Sequence, residues 1–257
     1  MKLKKLFFFG AFAIFCAACS NNKSGDSDKS GDSILGIQSL ASPETSNANE
    51  TAESFTQLNL EFWPTCTADE IAQFVLPKLE TVIMNETGDE SLAGCFYPSN
   101  GIVAAIKCED KPTVDGIIAK AKDVLPKNVI LLWSAKPLVE KYSPYDDTLY
   151  EKYYLYAIKD YDSDGIAPLH GDILEKAEIG VDMGNRPVLN ITMNKKAAVV
   201  WADMTGECAK ERRSIAVVVD GLVYSAPMPN ERITGGRSVI SGDFTMEELK
   251  ELVDALK

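Results

Sequence analysis

The chain has 257 residues, 46% apolar and 25% charged, which is enough for a folded core and for one or two domains. Its formal net charge of -12 repels phosphate backbones and anionic headgroups, and so argues against a nucleic-acid partner. One histidine, and no CxxC pair among Cys66, Cys95, Cys108 and Cys208, leave little material for a zinc, redox or triad chemistry.

The N-terminus reads as an export signal. Lys2, Lys4 and Lys5 form a positive start, and Leu6 to Phe15 is an apolar run too short to span a bilayer. Cys16-Ala17-Ala18-Cys19, followed by polar Ser20-Asn21-Asn22, has the form of a lipobox. Residues 1–18 are therefore expected to be a lipoprotein signal peptide. Cys19 is the expected lipidation site, carrying fatty-acyl lipid such as palmitate. An ordinary secretory signal cut near Ala18 is the alternative. The mature protein is expected in the cell envelope, facing the periplasm or the cell surface.

Residues 19–55 are rich in Ser, Asn, Asp, Glu, Gly and Lys, with Ser24-Gly25-Asp26-Ser27 nearly repeated at Ser30-Gly31-Asp32-Ser33. Such a composition cannot offset chain entropy by burial, and reads as a disordered tether with a mean reach of about 30–36 Å. Folded sequence begins near Leu58, where Leu58 to Trp63 alternates like a strand. Thr67-Ala68-Asp69-Glu70 is a capping box, and Ile71, Phe74, Val75 and Val82 mark a helix face that Pro77 should kink or shorten. Residues 101–107 suggest a strand, 113–125 a helix closed by Pro126, and 129–133 and 153–158 further strands.

Cys95 and Cys108 flank a strand-turn-strand pattern around Ser99-Asn100-Gly101 and are the candidate disulfide pair, with free thiols as the alternative. Tyr142, Tyr145, Tyr150, Tyr153, Tyr154 and Tyr156 are dense enough to line a peptide groove, or else cover strand faces. Asp160-Tyr161-Asp162-Ser163-Asp164-Gly165 opens like a calcium loop but has Gly171 where a bidentate Glu is needed, so no metal is expected. No cofactor is expected either. The lone His170 reads as a surface or packing residue.

Further on, residues 188–193 read as a strand, and Asn194 as the N-cap of a helix burying Ala197, Trp201, Met204 and Cys208. Ile215 to Val219 and Leu222 to Ala226 are strands joined by Asp220-Gly221, a type I′ turn signature. A Thr245–Glu248 capping box opens a last helix whose buried stripe is Leu249, Leu252, Val253 and Leu256.

Several of these strings together resemble the P1 domain of the protein-export factor SecD/SecDF. They are Ala167-Pro168-Leu169-His170-Gly171-Asp172, Leu189 to Asn194, the Ile215–Pro227 hairpin, Ile233-Thr234-Gly235-Gly236-Arg237, Ile240-Ser241-Gly242, Phe244-Thr245 and Glu247-Glu248-Leu249. Upstream, Leu60 to Trp63, Tyr97-Pro98-Ser99, Asp123 to Lys127 and Leu131 to Pro137 are similar to segments of the P1 base in fused SecDF proteins. The resemblance implies an α+β fold of two small α/β-sandwich-like subdomains after the tether: P1 base-like at 56–160 and P1 head-like at 161–257. SecD and SecDF continue into transmembrane helices that couple export to proton flow. This chain ends at Lys257 and is expected to lack that motor. Together with the anchor expected at Cys19, the resemblance implies a membrane-anchored, non-enzymatic polypeptide-binding or accessory module related to protein export, with unfolded secretory polypeptides as the expected partner. The alternative is a regulator that docks on Sec translocase subunits without binding substrate. The candidate binding residues are Tyr224 on the hairpin and Gly235, Gly236 and Arg237 in the following turn. The plainer reading is that Tyr224 packs and the glycine pair only turns the chain.

Overall fold

The computed structural model describes residues 59–143, 146–242 and 244–256. The signal segment, Cys19 and the tether lie outside the described residues, as do Tyr145 and the side chain of Tyr142.

The fold is α+β. Strand β1 (Leu60–Pro64) leads into α1 (Ala68–Glu70), a π-helical stretch (Ile71–Val75) and α2 (Leu76–Glu86). Then come α3 (Glu90–Ala93), β2 (Ile102–Lys107), α4 (Lys111–Ala121), β3 (Val129–Trp133), β4 (Leu138–Ser143) and β5 (Asp146–Lys159). The C-terminal half has β6 (Leu174–Val181), β7 (Pro187–Met193), α5 (Lys195–Glu211), β8 (Ile215–Val219), β9 (Leu222–Ser225), β10 (Arg237–Ser241) and α6 (Met246–Ala255). Three antiparallel sheets result: β1-β8-β9, β10-β7-β6, and β2-β5-β3 with β4 also on β5.

The three local signatures that mark ends and turns fold as the sequence dictates. Thr67 accepts from the Glu70 amide while Glu70 reaches back to the Thr67 amide, and Thr245 and Glu248 do the same for α6. Asn194 Oδ1 accepts from Ala197 N at 3.0 Å. Asp220 and Gly221 take φ of 48° and 78°, as a type I′ turn requires, and Val219 pairs with Leu222.

Strand β8 explains the layering. All five residues of Ile215-Ala216-Val217-Val218-Val219 are buried, which happens when both faces of a strand are covered. Ile215, Val217 and Val219 join a core with Leu60, Phe62, Leu189, Trp201 and Leu249. Ala216 and Val218 face the other way, with Trp63 and Val223, onto Ile130, Leu132, Tyr156 and Ile158 of the β2-β5-β3 sheet. The far face of that sheet, through Ile106, Leu155 and Ala157, packs under α2 and α4 by Leu79, Ile83, Val114 and Ile117. An isolated bridge from Ser134 to Val223, with Ala135 N donating to Val223 O at 2.8 Å, sews the two layers together. Thr56–Lys257 is one compact unit. Strand β1 comes from the segment expected to form the base, yet it pairs along its whole length with β8 of the segment expected to form the head.

Two expectations need correction. Phe74 is 54% exposed, although α-helical spacing put it on the buried face with Ile71 and Val75. The π stretch adds about a residue to the turn, which swings Phe74 outward. It also leads directly to Pro77 in the first turn of α2, a residue that cannot donate a helical hydrogen bond. Second, Cys95 and Cys108 are free thiols. Cys95 O accepts from Ala105 N at 3.2 Å, so Cys108 sits three residues further along, about 10 Å away and beyond the reach of a disulfide. Its Sγ lies instead 3.6 Å from the Glu151 carbonyl.

Candidate polypeptide-binding site

The β8–β9 hairpin does not stand free. Asp220 Oδ1 accepts from Asn59 N at 3.0 Å, tying the turn to the start of β1. Tyr224 stacks on Phe244 with ring centroids 5.8 Å apart and planes 12° from parallel, and it packs against the C-terminal core. Burial, followed by the charges of Glu248, Asp220 and Glu251, pushes its hydroxyl pKa up. It lines a narrow crevice with Lys136, Leu138 and Phe244, which Lys136 closes by pairing with Glu248 at 3.0 Å.

The glycine pair has a packing role. Both residues have positive φ, 87° at Gly235 and 66° at Gly236. A Cβ on Gly236 would lie 2.7 Å from Ala198 Cβ, whereas one on Gly235 would meet nothing within 4 Å. Gly236 O accepts from Met193 N at 2.8 Å, which sets the register of β10 on β7. The turn thus lays β10 close against the first turn of α5 and leaves Arg237 exposed at its start.

Arg237 lines an open groove of about 960 Å³. Ser238 and Val239 of β10 border it together with Pro227, Met228 and Asn230, and Ile191, Trp201 and Ile233 lend it apolar surface. The segment from Pro227 to Ile233 is fastened at both ends: Ile215 N donates to Pro227 O at 2.8 Å, and Ile233 N donates to the buried Thr205 Oγ1 at 2.9 Å. Arg232 pairs with Asp203 of α5 at 2.7 Å. Trp201 is 4% exposed, and its Nε1 has no hydrogen-bond partner among the described residues. Of the four candidate residues, Arg237 alone is part of the groove lining, and Tyr224 belongs to the separate crevice. Sequence reasoning missed Trp201 and the Pro227–Asn230 wall as groove elements. The pair of prolines in Pro227-Met228-Pro229, a stiff segment after a strand, was the available signal.

Other tempting residues do structural work. Asp160 is buried, and its Oδ2 accepts from Gly165 N at 2.8 Å, closing the loop on itself. His170 Nδ1 donates to the Ala167 carbonyl at 2.6 Å. Among the described residues, no three His, Cys, Asp or Glu side chains gather as metal ligands.

A charged cluster lies where the halves of the chain meet. Arg213, 7% exposed, donates to Thr65 O at 3.0 Å and to both oxygens of Glu70, and it also pairs with Glu211. Lys159 reaches Glu70 at 2.9 Å. Burial pushes the Glu70 carboxyl up, but the hydrogen bonds from Arg213, the Thr67 backbone and Lys159 outweigh it and hold its pKa at about 2. Burial likewise raises the neighbouring Cys66 thiol to about 12, so it is an inert core residue.

The family model for the SecDF P1 head subdomain matches residues 159–257. The protein translocase subunit SecD of Rhodothermus marinus is 31% identical over 192 residues, covering 66% of this chain and 29% of that protein. SecD of Desulfurispirillum indicum is 42% identical over 88 residues, 34% of this chain and 17% of that one. A solved structure of SecDF, described as a membrane component that enhances protein export, has 19% identity and a TM-score of 0.33. It covers 77% of this chain and 92% of that one. The chain spans less than a third of the length of these SecD relatives. Among the described residues, no helix is long and apolar enough to cross a membrane. With the P1 head at residues 159–257 and a SecD likeness of 192 residues that must extend upstream of it, the chain belongs with the P1 domains of SecD/SecDF.

Proposed function

We propose that this protein is a lipoprotein of the cell envelope, anchored through Cys19. In this reading a P1 base-like part (56–160) and head-like part (161–257) bind unfolded secretory polypeptide as a non-enzymatic accessory to protein export. The observation that supports it is the open groove beside Arg237. It is near the upper end of ligand-pocket sizes, partly apolar, and walled by a segment fastened at both ends, so it is preformed. Extended chains leaving a translocase are unpaired and suit such a surface. The family relation to protein export carries the rest of the reading.

The test is a titration of the full chain in detergent with unfolded secretory peptides. Saturable binding is expected, weakened about three- to tenfold by Arg237→Ala, as befits a rim contact. Absence of saturable binding, together with co-isolation of a translocase subunit, would favour the second reading, a regulator that docks on the Sec machinery without holding substrate.

A further inference from the structure

We infer that the groove takes its polypeptide as an added β-strand on the open edge of β10. The inference rests on the polypeptide-binding reading and names its mode.

Strand β10 ends its sheet, with β7 on one side and no strand on the other among the described residues. Because Met193 N donates to Gly236 O, Gly236, Ser238 and Ile240 are the residues whose backbone groups face β7. Hydrogen bonding alternates along an antiparallel ladder, so Arg237, Val239 and Ser241 turn their N–H and C=O groups to the free edge. That edge borders the groove: Arg237, Ser238 and Val239 all line it. Val239 is 55% exposed, an apolar side chain with little to cover it. The five residues of β10 offer about 17 Å of edge, the length of an ordinary strand.

The charges lining the groove are two acids, Glu175 and Glu178, and two bases, Lys176 and Arg237. A balanced rim attracts neither a basic nor an acidic ligand strongly, and it suits an uncharged extended segment. Recognition through backbone groups would read conformation in place of sequence, which is what a client range of many unfolded chains requires.

The probe is a neutral extended peptide of Val, Thr and Ser, titrated into the full chain in detergent beside the same peptide N-methylated at every residue, so that neither of its edges can donate. Strand addition predicts that N-methylation weakens binding at least about tenfold, the scale of one or two lost hydrogen bonds. Val239→Pro removes only an outward-facing N–H, a place where edge strands accept proline. It should weaken the unmodified peptide to a similar degree while the thermal melt is retained, and Val239→Ala should bind within about twofold of wild type. The methylated peptide keeps the test decisive even if Val239→Pro fails to fold. Equal binding of both peptides overturns strand addition and leaves polypeptide binding standing. Binding of neither peptide overturns both. If Val239→Pro splits a dimer without changing peptide affinity, the edge belongs to a second copy of the chain and the inference is wrong.

Discussion

Glu70 and Arg213 show how single side chains join distant parts of this chain. They lie far apart in sequence, yet Arg213 is almost fully buried against Glu70 and the Thr65 carbonyl. A buried charge is retained only with its partners, and removing one partner leaves the other stranded. Glu70→Gln is expected to cost about 2 kcal/mol at neutral pH. The folded-state pKa of Glu70 is about 2, below the ordinary 4.5, so its contribution is complete above pH 4.5 and lost as pH falls towards 2. Chemical denaturation of wild type and variant across pH 7 to 2 should therefore show a gap that closes between these values. A constant gap would mean that the pair is not the source. The glycine turn offers a second contrast. Gly236→Ala meets both a positive φ and Ala198, and should cost about 2–3 kcal/mol, whereas Gly235→Ala meets only the φ and should cost about 1 kcal/mol. Equal melts for the two variants would contradict the close approach of β10 to α5.

At the scale of elements, what was legible was what is encoded locally. The capping boxes at Thr67 and Thr245, the Asn194 cap and the Asp220-Gly221 turn each need only three or four neighbouring residues to specify. The stripe of Ala197, Trp201, Met204 and Cys208 is buried as its spacing requires. Strand β6 escaped notice because Leu174-Glu175-Lys176-Ala177-Glu178 mixes charge with small residues, and its strand state comes from pairing with β7. Phe74 was misplaced because a π turn leaves no mark in an apolar pattern read at 3.6 residues per turn. Strand β8 could be recognised as a strand, but its burial on both faces depends on distant elements, α5 and α6 on one side and the β2-β5-β3 sheet on the other. Its seam-facing residues test that layering. Val218→Ala should cost about 1–3 kcal/mol although it lies outside both helix-covered cores. A surface-like loss under 0.5 kcal/mol would mean that the seam is open.

For the whole molecule, the family relation was legible from strings of residues, and the α+β architecture followed from it. The candidate surface was only half legible. Arg237 lines the groove proposed to bind polypeptide, but Tyr224, singled out with it, stacks against Phe244 in a separate crevice. The groove is built by Pro227 to Ile233 folding back on α5, a tertiary contact that no local pattern announces. The anchor is a separate matter, and metabolic labelling with a radioactive fatty acid checks it: label should enter the wild type and be absent from Cys19→Ala. Holding secretory chains at the groove is the central claim. A photo-crosslinking residue in place of Met228, which is exposed in the groove wall, tests it in living cells. The account predicts adducts with newly exported polypeptides of many sizes, which disappear when secretion is blocked. Adducts with a translocase subunit alone, unchanged by that block, would contradict it.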